Sequence, residues 1–285
     1  MSQQNTPDNC THNCDTCTAN CASKANNNQA PDFRAHLNAA SSVKKVIGVV
    51  SGKGGVGKSL VTSMLAVLLR RHGLKTAILD ADITGPSIPA MFGVHGPVYG
   101  CDEGMIPASS VTGIDMMSIN LLLENENQPV VWRGSIISST VKQFYSEVVW
   151  RDIDCMLVDM PPGTGDVPLT VFQSLPLDGI VIVATPQELV GMVVSKAVEM
   201  ANMMNVPIIG IVQNMSYVTC PDCGKKIYVF GEVGAEAVAA QYDLPLLARI
   251  PMDPALASLC DQGKIEYFDG DWMDQAVEAI RDLNK

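Results

Sequence analysis

The stretch SGKGGVGKS (51–59) limits the fold more than any other feature of this 285-residue chain. It satisfies G-x-x-x-x-G-K-[ST] from Gly52 to Ser59, follows the apolar run KVIGVVS and precedes a run with helical periodicity. A phosphate-binding loop needs this setting, because its backbone N–H groups and a helix N-terminus must together face a polyphosphate. The sequence therefore predicts an α/β fold that binds a nucleotide.

Further apolar runs predict how the sheet around that loop is built. They are apolar on both faces, and helical patterns separate most of them, which is typical of an α/β fold with a mostly parallel sheet flanked by helices on both faces. The predicted strands are 45–51, 76–82, 155–160, 179–185, 207–214 and 244–250. The predicted helices are 59–71, 134–149, 187–204, 233–241, 254–262 and 272–283. Residues 84–132 are rich in Gly and Pro, and we expect a mobile loop with a small excursion there.

Composition divides the chain into two parts. Residues 1–42 are rich in Asn, Ser, Thr, Gln and Ala and poor in β-branched residues, so we predict a flexible N-terminal tail. Residues 43–285 form the predicted P-loop domain. The tail carries four closely spaced cysteines, which are Cys10, Cys14, Cys17 and Cys21.

The net charge and the cysteine content limit which partners the chain can bind and in which cellular compartment we expect it. The net charge is −11 without a long basic run, which disfavours nucleic acid and anionic membrane surfaces as partners. The first residues lack the apolar core of a secretory signal, and the longest apolar runs are too short to span a bilayer. A cytoplasmic location is the default expectation. Nine cysteines kept reduced there favour metal or cluster binding over disulfides.

The phosphate-loop motif predicts roles for its own residues and for Asp159. Lys58 would neutralise the terminal phosphates, and the Ser59 hydroxyl would ligate Mg²⁺. Asp159 ends the strand CMLVDM, where a carboxylate would hold Mg²⁺ through its water shell. Backbone N–H groups that curl around the phosphates would come from Gly52, Gly54, Gly55, Val56 and Gly57. These residues predict a site for a magnesium-bound nucleotide.

Other polar residues end strands or open loops near that site. Asp82 could orient the attacking water and Asp80 lies two residues before it, but either carboxylate could instead cap a helix or turn. The segment PPGTGD (161–166) is interpreted as a switch whose backbone senses the γ-phosphate and whose Asp166 relays that state. Asn214, at the end of GIVQN, is placed to read the adenine edge, with a plain turn residue as the alternative.

A second lysine in the loop narrows the class of nucleotide-binding protein. Lys53 gives the run KGGVGKS, which is the deviant Walker A signature. In ATPases of that class this lysine reaches the phosphate across a dimer interface. The resemblance therefore implies a catalytic role for Lys53 in a nucleotide-sandwich homodimer, whereas a solvated loop charge is the alternative.

Seven motifs in order carry a closer resemblance; they are SGKGGVGKS, LDADITGPSIP, VWRGS, LVDMPPGTGDV, ATPQE, QNMSYVTCPDCG and RIPMDP. With them the chain resembles the Mrp/Nbp35 (ApbC-like) family of P-loop ATPases, which carry iron–sulfur clusters. The resemblance covers roughly residues 43–265, and Gln213 departs from it by standing where a glutamate is usual. It implies slow ATP hydrolysis, ATP or ADP, Mg²⁺ and a [4Fe–4S] cluster as cofactors, and apo iron–sulfur proteins as recipients.

The motif CPDCG presents two thiolates, Cys220 and Cys223, at the spacing of one edge of a metal site. Two ligands do not complete a tetrahedral site, and the remaining cysteines of the domain are isolated: Cys101, Cys155 and Cys260. The missing ligands could come from a second subunit, and the family resemblance implies one [4Fe–4S] cluster held on the twofold axis of a homodimer. Half of a zinc knuckle and a redox dithiol are the alternatives, and a heteromer stays open.

The four tail cysteines have the spacing C-x₃-C-x₂-C-x₃-C and need no dimer partner to supply four ligands. Some relatives also carry an N-terminal cysteine cluster, with a wider spacing. A second [4Fe–4S] cluster is therefore favoured by analogy at Cys10, Cys14, Cys17 and Cys21, ahead of a zinc site and of uncommitted thiols.

Three other functions compete with cluster transfer. A positioning ATPase of the MinD or ParA type would need a basic amphipathic C-terminal helix or a basic DNA-facing patch, but the C-terminal segment carries more acid than base. We predict a packed terminal helix there. A nucleotide-binding zinc protein acting as a scaffold is the second rival, and a small-molecule kinase is the third.

Overall fold

The strand that leads into the phosphate loop lies in the middle of the central sheet. The computed structural model describes residues 34–123, 132, 134–189, 192–231 and 239–283. Its strands are β1 Val46–Ser51, β2 Thr76–Asp80, β3 Gly100–Cys101, β4 Gly104–Met105, β5 Ala108–Ser109, β6 Asp115–Met117, β7 Cys155–Asp159, β8 Gly179–Ala184, β9 Ile208–Gln213, β10 Val218–Thr219, β11 Lys226–Ile227 and β12 Leu246–Arg249. Its α-helices are α1 Lys58–Arg71, α2 Ile88–Met91, α3 Gly134–Ser146, α4 Asp166–Ser174, α5 Pro186–Leu189, α6 Met192–Met203, α7 Pro254–Asp261 and α8 Asp274–Asp282.

Eight of these strands form one sheet in the order β12-β9-β8-β1-β7-β2-β6-β5. All neighbours pair in parallel except β5 and β6, which are antiparallel. The register pairs Val49 with Asp159 and Asp159 with Asp80, so β1, β7 and β2 end at the same edge of the sheet. The predicted mostly parallel α/β fold is confirmed, and the acidic residues that end its strands meet beside the phosphate loop.

Helices cover both faces of this sheet, and each face has its own apolar core. On one face α1 contributes Val61 and Leu65 and α8 contributes Ile280. On the other face Phe144 of α3 and Val171 of α4 pack with residues of α6. The C-terminal segment is therefore a packed helix, as predicted. No helix among the described residues has both the length and the apolar character that crossing a bilayer requires.

The segment predicted to be a mobile loop contains the two strands that extend the sheet. Within 84–123, β6 pairs with β2 and β5 pairs back onto β6, and β3 and β4 form a short hairpin. Strands of two or three residues show no usable hydrophobic period, which is why the sequence pattern missed them. Most of the predicted helix 233–241 lies outside the described residues.

Residues 35–42, which composition assigned to the tail, contact the folded domain. The compact unit covers Ala35–Lys285. The Ala35 N–H donates to the Ser174 carbonyl at the end of α4 (2.7 Å), and the Ser42 N–H donates to the Trp150 carbonyl (2.7 Å). The folded domain therefore includes residues before 43.

Candidate functional site

The phosphate loop joins β1 to α1 through two glycines with positive φ, Gly55 (82°) and Gly57 (81°). This left-handed backbone suits glycine, and at Gly57 it also brings the backbone against another side chain. A Cβ there would lie 2.1 Å from Asn214 Nδ2. Lys53 is exposed on the loop and Lys58 is buried at the start of α1. The two lysines thus face different surroundings, and their separate roles stay predictions.

Lys58 lies between the carboxylate that ends β7 and a carboxylate in the turn after β2. Its Nζ lies 2.8 Å from Asp159 Oδ2 and 3.7 Å from Asp82 Oδ2. The Asp159 side chain is fully buried, so its charge depends on this ion pair and on hydrogen bonds rather than on water. The structure brings together the residues predicted to handle the γ-phosphate and the metal.

The oxygen atoms near Lys58 suit Mg²⁺. The Ser59 hydroxyl donates to Asp159 Oδ2 at 2.6 Å, so the two predicted ligand groups lie in contact at the first turn of α1. Carboxylate and hydroxyl oxygens are the hard donors that Mg²⁺ prefers when most of its shell is water and phosphate. The donor set fits the ion, and Ser59 and Asp159 are the residues that would hold it.

The two aspartates that end AILDAD have different surroundings. Asp80 is fully buried and accepts hydrogen bonds from Ser118 Oγ (2.9 Å) and from the Asp82 N–H (3.2 Å). Burial, followed by the neighbouring charge of Asp159, raises the pKa of Asp80 to about 8. Asp82 faces Lys58, and burial also raises its pKa. Asp80 therefore braces the turn that holds Asp82, and of the two Asp82 is the one that lies near the loop lysine.

The raised pKa of Asp80 predicts a pH dependence of stability. The folded protein keeps this proton where an unfolded aspartate has lost it, so stability falls as pH rises from about 4 to about 8. We expect Asp80→Asn to remove this loss. Thermal unfolding of nucleotide-free, magnesium-free protein should show a smaller drop in Tm from about pH 6 to about pH 8.5 in the variant than in wild type.

The control for this experiment is Asp154→Asn. The Lys44 ammonium lowers the pKa of Asp154, so the stability that this carboxylate contributes changes only at lower pH. Asp154→Asn should keep the wild-type slope between about pH 6 and about pH 8.5. Equal slopes for Asp80→Asn and wild type would contradict the assigned proton.

The predicted switch begins at Pro161, two residues after Asp159. Its Gly163 N–H donates to the carbonyl of Ser51, the last residue of β1, at 2.9 Å. Asp166 is exposed in the first turn of α4, where its charge complements the helix N-terminus. The switch therefore contacts the start of the phosphate loop, and α4 leads from it to the Ala35 contact at Ser174.

Asn214 is part of the loop's support. Its side-chain amide is buried and donates to the Val56 carbonyl (2.8 Å), and its Oδ1 accepts from the Met215 N–H (2.9 Å). In this arrangement the amide fixes the phosphate loop. The structure thus gives Asn214 a bracing contact that the sequence did not suggest, and reading of adenine by Asn214 stays a prediction.

An apolar cavity of about 420 Å³ lies beside Asn214 and the first turn of α1. Its walls come from α1, from the segment after β9, from β10, from the segment RIPMDP and from α7; the lining residues include Leu60, Met215, Val218, Pro251, Met252 and Leu256. A largely apolar pocket beside a phosphate loop suits a planar nucleobase. Sequence reasoning quoted RIPMDP only as a motif and missed this wall.

The two cysteines of CPDCG lie in the turn of a hairpin formed by β10 and β11. The Cys220 N–H donates to the Lys225 carbonyl and the Gly224 N–H donates to the Cys220 carbonyl, both at 2.9 Å. The backbone N–H groups of Cys223 and Asp222 point at the Cys220 sulfur and lower its pKa, with a further contribution from the Cys223 thiol. The turn therefore favours a thiolate, the form that binds metal.

This pair does not form a complete metal site by itself. Within the described part of the chain, no cluster of three or more His, Cys, Asp and Glu side chains could hold a metal ion. Cys155 is buried, and burial raises its pKa to about 12, so it behaves as a core residue. Cys101 is exposed on the β3–β4 hairpin and Cys260 lies in α7. The tail cysteines predicted as a second site lie outside the described residues.

The cysteine hairpin and the apolar cavity share a wall. Val218 lines the cavity and begins β10, two residues before Cys220. The Met252 N–H donates to the Tyr217 carbonyl (2.8 Å), and the Ser216 N–H donates to the Ile250 carbonyl (2.9 Å). The base of the hairpin is thus bonded to the segment that forms the other side of the cavity.

Comparison with known proteins agrees with this geometry. Residues 42–284 match the family model described as ParA, NUBPL iron-transfer P-loop NTPase. The chain is 44% identical over 265 residues to the iron-sulfur cluster carrier protein of Methanocaldococcus jannaschii, covering 89% of each chain. It is 44% identical over 234 residues to the protein of that name from Clostridium perfringens, covering 79% of this chain and 82% of the relative.

Solved structures show the same relationship. A nucleotide-binding protein from Archaeoglobus fulgidus, solved in complex with ADP, superposes with a TM-score of 0.74 at 44% identity, covering 81% of this chain and 90% of the other. The cell division ATPase MinD from Pyrococcus furiosus superposes with a TM-score of 0.55 at 19% identity, covering 83% of this chain and 97% of the other. The likeness to MinD shows a common fold.

Proposed function

The chain belongs to the NUBPL-type iron-transfer P-loop NTPases, and from this premise we propose that it is an ATP-dependent carrier that binds a [4Fe–4S] cluster and delivers it to apo iron–sulfur proteins. One observation carries the proposal beyond family membership. The thiolate-favouring turn at Cys220 and Cys223 is joined to the nucleotide side of the molecule through Val218, which lines the cavity beside the phosphate loop. Cargo binding and nucleotide binding therefore involve one continuous piece of structure.

The side chains that contact Lys58 in the structure would act together on the bound nucleotide. Lys58 would leave the carboxylates for the β- and γ-phosphates, and Lys53 of a second copy would reach the γ-phosphate across the dimer. Ser59 and Asp159 would hold Mg²⁺, which when bound neutralises charge on the phosphates. Asp82, near Lys58, would orient the attacking water. The backbone N–H groups of the loop would bind the phosphate oxygens, with Asn214 bracing the loop.

The cargo side would require two copies of the chain. A [4Fe–4S] cluster is commonly held by four thiolates, and the described part of one chain brings together only Cys220 and Cys223. A twofold axis beside the hairpin would supply the same pair again and complete the set. We propose a homodimer in which the cluster is cargo rather than a permanent cofactor.

Nucleotide state would control the cargo through the shared wall. Filling the cavity with a base would press on Val218 and on the segment hydrogen-bonded to Tyr217. Because Cys220 follows two residues later, small shifts of β10 would change the distance between thiolate pairs across the dimer. The switch at 161–166 would act in parallel on Asp166 and α4. ATP hydrolysis would thereby gate cluster release.

The test is an anaerobic transfer assay with the full chain. Protein reconstituted with iron and sulfide is mixed with an apo [4Fe–4S] enzyme, and recovery of that enzyme's activity is followed with ATP, with ADP and with a non-hydrolysable ATP analogue. We expect iron and sulfide in equal amounts on the carrier and transfer rates that depend on which nucleotide is present. Binding of zinc alone, or transfer rates independent of nucleotide, would overturn the proposal.

We also propose that the tail at 1–42 carries a second [4Fe–4S] cluster on Cys10, Cys14, Cys17 and Cys21. Replacing these four residues with serine in the full chain should remove about four irons per chain and leave about two at the shared site. Iron and sulfide analysis with electron paramagnetic resonance of the reduced protein measures both. Unchanged iron content would contradict the second cluster, whereas loss of one bound zinc would identify a zinc site.

A further inference from the structure

The two oxygens of Asp159 accept hydrogen bonds from different residues. Oδ2 faces Lys58 Nζ (2.8 Å) and the Ser59 hydroxyl (2.6 Å), which are the groups assigned to phosphate and metal. Oδ1 accepts from the Thr62 hydroxyl at 2.8 Å. Thr62 is fully buried one turn further along α1 and belongs to no motif that predicted the site.

Thr62 Oγ1 has a second acceptor within reach, the Lys58 carbonyl at 3.0 Å. A hydroxyl has one proton, and an ionised carboxylate is a stronger acceptor than a carbonyl that already belongs to a helix. The proton therefore points at Asp159. The helix backbone limits the rotamers of a β-branched threonine, and the one adopted here places Oγ1 within reach of both the Lys58 carbonyl and Asp159 Oδ1.

We propose that Thr62 is a positioning residue for magnesium-dependent nucleotide binding, which holds the carboxyl plane of Asp159 so that Oδ2 faces the phosphate loop. The inference rests on the proposed nucleotide function and adds a residue to it. When Lys58 turns to the phosphates and Ser59 to the metal, Oδ2 loses both of its donors. Among the described contacts of the Asp159 side chain, the one from Thr62 then remains, because it is made to Oδ1 and not to Oδ2.

The neighbouring Ser63 offers a matched control. The Ser63 hydroxyl also reaches the backbone carbonyl one turn back, that of Ser59, at 2.8 Å. Its side chain is as buried as that of Thr62. It has no described contact with Asp159. Removing each hydroxyl in turn therefore distinguishes the effect of losing a contact to the helix backbone from the effect of losing the contact to the Asp159 carboxylate.

The experiment measures binding of a fluorescent ADP to the full chain while Mg²⁺ is titrated, in Thr62→Val, Thr62→Ser, Ser63→Ala and wild type. Valine keeps the shape of threonine without its proton, so we expect the Mg²⁺ concentration for half-maximal binding to rise about tenfold or more. Thr62→Ser should restore the wild-type value, and Ser63→Ala should keep it. Binding in the presence of a chelator should be alike in all four proteins.

Two other outcomes would overturn the inference. One is a wild-type Mg²⁺ dependence in Thr62→Val. The other is an equal loss of binding with and without Mg²⁺, because it would indicate a general defect of the loop. Failure of wild type to bind nucleotide at all would count against the proposed function instead. If Thr62→Val does not fold, Thr62→Ala replaces it with the same expected shift and the same serine rescue.

Discussion

Lys58→Ala is expected to abolish ATP hydrolysis and ATP-dependent cluster transfer while leaving the cysteine hairpin intact. The change removes the ammonium that neutralises the phosphates, and loss of one such preorganised charge costs about a hundredfold or more in rate. Phosphate release under single-turnover conditions and the transfer assay measure the two losses. The iron content of the reconstituted variant should match that of wild type, because Cys220 and Cys223 lie on a separate hairpin.

The same variant should also be less stable without nucleotide. Lys58 and Asp159 are both buried, and breaking a buried pair costs about 3–5 kcal/mol because one charge is left uncompensated. Lys44→Ala is the matched control, since Lys44 forms a solvent-exposed ion pair with Asp154, and water screens such pairs so that they contribute little to stability. Wild-type turnover or transfer in Lys58→Ala would refute the assigned role of the loop lysine.

Cys220→Ala is expected to lose the cluster shared between two copies. Each chain contributes two thiolates to the proposed site, so one substitution removes two of the four ligands from a homodimer. The measurement is made in the full chain with the four tail cysteines replaced by serine, which removes their iron from the count. Iron and sulfide should fall to background, together with the visible absorption of the cluster.

Cys101→Ala is the control for this experiment, because Cys101 is an exposed thiol on another short hairpin. Made in the same tail-substituted chain, it should retain the iron content of that parent protein. The Cys220→Ala protein should still bind nucleotide and hydrolyse ATP at a measurable rate, since Lys58 and Asp159 are untouched. A full cluster complement in Cys220→Ala would contradict the ligand assignment.

The phosphate side of the site was predictable because its chemistry depends on local spacing. A strand, a glycine-rich turn and a helix fix where Lys58 and Ser59 lie, and an aspartate at the end of a parallel strand must meet them at the same sheet edge. For the same reason the sequence predicted that Asp82 and Asp159 lie near the phosphate loop. The Cys220–Cys223 pair was likewise visible as a short-range motif.

The contacts that position the side chains of the site were not predictable from the sequence, because they join residues far apart in it. Thr62 and Asp159 are 97 residues apart, and Asn214 reaches Val56 across 158 residues. Neither threonine on a helix nor asparagine after a strand is unusual enough to indicate a contact. Asp80 is held by Ser118, which follows a strand too short to recognise. Val218 belongs to none of the predicted strands or helices, and only the folded chain brings it beside the cavity.

The order of the strands has a consequence for how the protein is made. β1 emerges early from the ribosome, yet its partners in the sheet are β7 (Cys155–Asp159) and β8 (Gly179–Ala184). The strand that leads into the phosphate loop therefore stays without these hydrogen-bonded neighbours until about a hundred further residues have been synthesised, and exposed apolar strands of this kind are prone to aggregate meanwhile. Nucleotide, which needs the finished loop, can stabilise the nascent protein only after β7 and β8 have joined the sheet.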